Sequence, residues 1–510
     1  MIEAVGAIEM TPLSIPIATR RSYDFQALIP AAALPIWLTI LGPWWIVYEL
    51  HPNEGLNFAK GALVANGYPL YDQIWNDQPP GLTLILAAVQ RVFPFDIGIS
   101  RAIIITFSSL LLWALFRIVR RSSGVLAAWA AVAVLGLSTQ FLLFGVSVMI
   151  GHPAVALAVC ALDQAMVGAA EKSRWRLVTA GVLFGLSLQI KMFTALALPS
   201  LICAILFFSK AASEPRRGRE AAVAFAATLA TFLSFALAFH EPLVDQLFMP
   251  HWSAARSDLY EDEQYGWLYF GSLLALEPVL LGLGILGTIA ILRKPREFDG
   301  TKLIPVIWLC LSVVVFANHK PVAPRHLIMT MVPLAWLGGI AVSKLAHWIE
   351  RTPMRLPYRR AFITIGLTAL LVADAWTPLR FGTVTPPASP IAVIMERLKI
   401  DAASERWAVA DEPIDAYRAK VLVPPELAVF SKKRLNQGYL PAETIMNAIS
   451  EYRPSVVRFS LFPVDPAVDK FLRESSYIAV TAAGGQNYIR GDLAPSYTPP
   501  SARPSFRLPN

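Results

Sequence analysis

Apolar runs of about twenty residues recur along most of this 510-residue chain, and no other feature restricts its fold as tightly. A stretch of that length crosses the hydrocarbon of a bilayer as a helix, because only a helix satisfies its own backbone groups where water is absent. The runs lie at 28–50, 98–116, 124–143, 152–170, 177–190, 192–209, 220–239, 267–292, 303–318, 326–348 and 361–378, which predicts about eleven spans. The chain is 55% hydrophobic and 16% charged, so its net charge of +8 is not the signature of a soluble nucleic-acid binder. The basic residues instead collect in alternate short loops, for example Arg117, Arg120 and Arg121, then Lys172, Arg174 and Arg176, then Arg216, Arg217 and Arg219. That positive-inside bias puts residues 1–27 in the cytoplasm, the loop 51–97 outside and, with eleven spans, the tail outside as well. Cys160, Cys203 and Cys310 all fall within apolar runs and read as packing residues.

The first external stretch, His51 to Gly81, is too polar to enter the bilayer. It carries Glu54, Asp72 and Asp77, with Lys60 as its one full positive charge, and is shaped by Pro52, Pro69, Pro79, Pro80 and four glycines. Asn53 reads as a helix N-cap, which sets Glu54 in the first turn, where the helix dipole favours an ionised carboxylate. Asn57 and Phe58 then share its face. Residues 79–94 are apolar but short, and fit an interfacial or re-entrant helix.

In order, Asn53-Glu54-Gly55, the amphipathic helix to Ala65, Pro69-Leu70-Tyr71-Asp72 and Pro79-Pro80-Gly81 resemble the first external loop of the bacterial GT-C membrane glycosyltransferases. Those enzymes, related to protein mannosyltransferases and aminoarabinose transferases, use polyprenyl-phosphate-linked sugars. The resemblance implies a polytopic α-helical membrane protein that moves a sugar to a glycan, lipid or protein acceptor, with inversion, at the outer face of the cytoplasmic membrane. The family's catalytic Asp falls at Asn53, so Glu54 inherits the role of base. Asn53, Asn57, Asp72 and Asp77 are expected to contact substrate. Lys191, isolated at an outer boundary in GLSLQIKMFTALALP, and Arg325-His326, opening the tenth run, are expected to hold the donor phosphate. The residue before Pro79-Pro80 is Gln78 where the family often has Lys. The family's second carboxylate, after the third span, is replaced by MIGHPAVAL, which offers His152. No cofactor is required by this pattern; a divalent cation is the one candidate, and no metal ligand set is assigned.

Two further regions stand apart from the spans. The loop 240–267 is acidic and aromatic, with Asp258, Glu261, Asp262 and Glu263, and fits a solvated loop or a flap over a sugar site. After the last run, residues 379–492, with a linker at Pro386-Pro387, alternate helical and strand patterns and predict a small extracytoplasmic α/β domain, followed by a Pro/Ser-rich disordered tail at 493–510. The transmembrane module is 28–378, between the cytoplasmic stretch 1–27 and the tail. The rival classes are a transporter or lipid-carrier flippase, expected to show paired broken helices and mid-membrane charges, and an inactive scaffold.

Overall fold

The computed structural model describes residues 20–41, 52–209, 214–256, 266–293, 300–319, 321–351, 389–398, 405–480 and 485–496. The predicted span 361–378 and the acidic run 261–263 lie outside them. The membrane part is helical: α1 Arg20–Leu41, α2 Pro52–Ala65, α3 Gly81–Val92, α4 Ile97–Ser123, α5 Val125–Gly136, α6 Thr139–Val146, α7 Gly151–Glu171 and α8 Arg174–Leu188. It continues with α9 Leu198–Phe208, α10 Glu214–Leu243, α11 Met249–Arg256, α12 Trp267–Ala275, α13 Pro278–Leu292, α14 Leu303–Asn318 and α15 Ile328–Arg351. Five stretches, lying in α4, α7, α10, 300–318 and α15, are long and apolar enough to cross a membrane, or seven if two bent pairs are each one span. This is a multi-pass membrane protein.

Two of the expected spans are broken. Residues 124–143 divide into α5 and α6, bent by 68°, because the Ser138 hydroxyl accepts from the Phe141 N–H and starts a new helix. Residues 267–292 divide into α12 and α13, bent by 106°, because Pro278 bars Glu277 from helical geometry. The breaks are joined to each other: the buried Glu277 carboxylate accepts from the Gln140 N–H of α6 at 2.7 Å. Close helix contacts rest on glycines. A Cβ at Gly181 of α8 would lie 2.2 Å from the Ala224 carbonyl of α10, and one at Gly287 of α13 would lie 2.0 Å from the Leu337 carbonyl of α15. Asp163 of α7 is fully buried and paired with Arg117 at 3.1 Å and with Arg121, both on α4.

The tail has α16 Pro390–Leu398, α17 Pro413–Arg418, α18 Lys432–Asn436, α19 Ala442–Tyr452 and α20 Pro466–Glu474 around four strands. These are β1 Ala408–Ala410, β2 Val456–Phe459, β3 Tyr477–Val480 and β4 Gln486–Arg490, in the order β1-β2-β4-β3, with β1 and β2 parallel and the other pairs antiparallel. The tail does not stand clear of the membrane part. Tyr417 of α17 stacks on Phe58 of α2 at 4.6 Å and meets Phe95 at 5.2 Å. A Cβ on Gly55 would lie 2.7 Å from the Ile414 nitrogen, so α2 and α17 touch backbone to backbone there. Phe58, Leu63, Leu82 and Leu86 share one buried apolar cluster with Ile391, Ala408, Ile414 and Tyr417.

Candidate active site

Helix α2 begins at Pro52, so Asn53 sits within the first turn and not at the cap, proline being suited to the first helical position. Glu54 is in that turn as expected, but its carboxylate is sealed. Arg101 of α4 donates through Nε to Oε1 at 2.9 Å and through Nη2 to Oε2 at 2.8 Å, and the Val148 N–H donates to Oε1 at 2.9 Å. Neither Glu54 nor Arg101 has appreciable exposure. Asn57 donates to the Val148 carbonyl at 2.8 Å, so Glu54 and Asn57 both fasten α2 to the Val148 backbone. The open face that the sequence suggested for Glu54 is occupied by Arg101. The physical reason is that a carboxylate this deep needs a fully hydrogen-bonded cation, and the α4 arginine supplies one.

The second carboxylate is different. Asp77 keeps 18% of its side-chain surface, pairs with Lys433 of α18 and lies 4.0 Å from His251 Nε2. Burial pushes its carboxyl up, but Lys433, His251 and Lys60 together outweigh that and hold it well below the ordinary carboxylate range. Lys60 donates to the Asn76 side-chain oxygen at 2.8 Å, and burial pushes its ammonium down to about 8. Around it the turn is locked: Asn76 and Tyr71 both donate to the Gln78 carbonyl at 2.6 Å, and Gln246 joins the Asn76 N–H to the Tyr71 carbonyl. Tyr71 takes a positive φ of 72° to turn the chain. Asp72, next to it, is exposed.

The segment after Asp77 leads to the cations. The Gly81 N–H donates to the Gln189 carbonyl at 2.7 Å, and a Cβ there would be 2.5 Å from that oxygen, so only glycine lets the Pro79-Pro80-Gly81 start of α3 sit against the 189–191 loop. Two residues on, Lys191 is 3% exposed, and its ammonium has no hydrogen-bond partner among the described residues. Burial, then the charge of Arg325, push it down to about 7. Phe193 lies under it, 5.9 Å from the ring centroid, and in turn packs edge-on to His319 and His326. His326 is buried, with Nδ1 accepting from the Ala323 N–H, which fixes the 323–326 turn that carries half-buried Arg325. Burial, then His251 and Lys191, push His319 down to about 4. The Arg325 carbonyl faces Gly151, one residue before His152.

The sequence-predicted residues therefore divide. Lys191, Arg325 and His326 come together; Asn57 and Glu54 fasten α2; Asp77 joins the tail; Asp72 faces outward. Sequence reasoning passed over Arg101, which was visible as a charge near the start of an apolar run, and His319. It also passed over Lys433, hidden in a basic run of the tail. Among the described residues no group of three or more His, Cys, Asp or Glu gathers to hold a metal ion.

A helical bundle with two broken spans and a small α/β unit packed on it makes this a multi-pass membrane protein with the fold of the GT-C glycosyltransferases. The family model for dolichyl-phosphate-mannose-protein mannosyltransferase matches residues 77–238, beginning at Asp77 itself. No curated protein sequence matches the chain. Among solved structures, ArnT from Cupriavidus metallidurans bound to undecaprenyl phosphate superposes with a TM-score of 0.64 at 15% identity, over 93% of this chain and 99% of that one. The archaeal oligosaccharyltransferase AglB from Archaeoglobus fulgidus, in complex with an inhibitory peptide and a dolichol-phosphate, gives 0.55 at 12% identity, over 87% and 70%.

Proposed function

We propose that this protein transfers a sugar from a polyprenyl-phosphate donor to an acceptor at the outer face of the cytoplasmic membrane, with its amino terminus inside and its α/β tail outside. The observation that carries the reading is the Lys191 ammonium, buried and unpartnered among the described residues, beside Arg325 and the Phe193 platform. A buried cation persists where an anion completes it. A lipid phosphate arriving from the bilayer supplies that anion, and the match of residues 77–238 to a dolichyl-phosphate-dependent family supports the assignment.

The roles follow from access. Lys191 and Arg325 contact the donor phosphate, and His326 holds their turn. Asp77, partly exposed in its locked turn, meets the acceptor hydroxyl; Glu54, enclosed by Arg101, is reassigned from base to anchor of α2. In the transfer, Asp77 takes the acceptor proton while the acceptor oxygen bonds to the anomeric carbon. The bond from that carbon to the phosphate oxygen breaks, and its electron pair leaves with the polyprenyl phosphate. Charge grows on the phosphate as this happens, so fixed cations stabilise the transition state more than the bound donor. Attack opposite the leaving group inverts the anomeric centre. Exposed Asp72, and Asn53 with it, are assigned to the acceptor. The bent pairs α5–α6 and α12–α13 and the buried Asp163 are features a carrier would also show; the unpartnered Lys191 and the family match over residues 77–238 favour transfer.

The test is release of polyprenyl phosphate from a panel of polyprenyl-phosphate sugars by purified protein. Wild type should consume one of them, and Lys191→Met and Asp77→Asn should not. A wild-type protein that consumes none, yet moves a labelled lipid between leaflets, overturns the assignment.

A further inference from the structure

The tail domain reaches into the site through one side chain. Lys433 lies on α18, more than 350 residues beyond Asp77 in the chain, and pairs with it directly. Its neighbour holds it there. The Arg434 guanidinium donates to the Glu426, Val429 and Tyr439 carbonyls at 2.9, 2.9 and 3.2 Å, and the Ser431 hydroxyl caps the helix by accepting the Arg434 N–H. Trp75 of the outer loop lies 4.8 Å from the Arg434 guanidinium and 5.7 Å from the Lys433 ammonium. The α18 backbone that carries Lys433 is thus held by the carbonyls bonded to Arg434, and Lys433 itself lies beside the Trp75 ring with its ammonium on Asp77.

We propose that Lys433 is a positioning residue of the transfer site, so that the α/β tail is part of the reaction centre and not an appendage. This rests on the reading of Asp77 as the acceptor-side carboxylate. Lys433 does two things there: it aims the carboxylate, and it keeps it ionised so that it can accept a proton. The other groups facing Asp77 are His251, Lys60, Arg434 and the Tyr71 hydroxyl. His251 Nδ1 is bonded to the Leu247 carbonyl, which can only accept, so the hydrogen is on Nδ1 and Nε2 faces Asp77. Burial, then Lys433, push His251 down, and its Nε2 stands 4.0 Å from the carboxylate that Lys433 contacts directly, so Lys433 is the nearest full charge on Asp77.

The experiment compares full-length wild type, Lys433→Ala and Lys433→Arg in two measurements. The first is labelling of Asp77 by a water-soluble carbodiimide and an amine, mapped by mass spectrometry across pH, since carbodiimide reacts with the protonated carboxyl. Removing an opposite charge at contact should move the labelling midpoint up by about 1 to 3 pH units in Lys433→Ala, with Lys433→Arg close to wild type. The second is kcat/KM for donor consumption against pH, whose acid limb should move up with the labelling midpoint and be restored by arginine. An Asp77 labelling profile that is the same in wild type and Lys433→Ala overturns the proposal. So does an activity loss in Lys433→Ala with an unmoved acid limb, which is what simple undocking of the tail would give. If wild type consumes no donor, the functional reading fails on its own, and the labelling shift still decides whether Lys433 governs Asp77.

Discussion

Lys191→Met should make the protein more stable and less active at once. Methionine keeps the length and apolar stem of lysine but removes the charge from a position that is 3% exposed. The ammonium falls from 10.5 to about 7 on burial, which corresponds to about 5 kcal/mol of destabilisation at pH 7. Because the folded value is the lower one, this cost is present in full below pH 7 and fades as pH rises toward 10.5, where the unfolded lysine also loses its proton. The variant escapes the cost, and its unfolding temperature in detergent at pH 7 should rise by several degrees. A charge-assisted contact to phosphate contributes about 1.5 to 3 kcal/mol, so affinity for polyprenyl phosphate should fall roughly 10- to 150-fold. Adding polyprenyl phosphate should therefore raise the unfolding temperature of wild type markedly and that of the variant little. If Lys191→Met unfolds at a lower temperature than wild type, and the lipid stabilises both equally, the lysine is a structural residue and the phosphate assignment is wrong.

Glu54→Gln should destabilise through Arg101, left buried without its anion; a loss of about 3 to 5 kcal/mol is expected in detergent unfolding, and pairing it with Arg101→Met should recover part of it. Binding of polyprenyl phosphate to wild type should weaken as pH rises above about 7, since Lys191 must then take up a proton to bind it; isothermal titration in two buffers of different ionisation heat reads that proton, and Lys191→Met should show none. Gly55→Ala places a methyl 2.7 Å from the Ile414 nitrogen, and the overpacking should cost about 1 to 3 kcal/mol and make the tail the first part released by limited proteolysis.

The span pattern was legible because the bilayer imposes one length and one polarity on every crossing segment, and the outer loop was legible because its prolines, glycines and acids interrupt that pattern. The tail's helix 442–452 and its strands carry ordinary alternation and were visible for the same reason. Lys191 stood out as a charge with no company. What could not be read was partnership across distance. Glu54 looks in sequence like an ionised residue at a helix start, and only the folding of α4 against α2 shows that Arg101 covers it. The bends at Ser138 and Glu277 were missed because an apolar run has the same composition whether or not a cap or a proline divides it. Lys433 was unreadable in principle: nothing local in a KKR run says which carboxylate it will meet.

The stacking of Phe58 on Tyr417 also bears on how the chain is made. The two rings are separated by more than two thirds of the 510-residue polypeptide, so the underside of α2 is finished long before its cover exists. At ordinary rates of synthesis that interval is roughly 20 to 70 seconds, during which Phe58 and its apolar neighbours must be shielded by lipid, by a chaperone or by a temporary fold. A ribosome stalled just before Tyr417 would leave behind the helical bundle with an uncapped and sticky α2, which quality control could recognise by that patch alone.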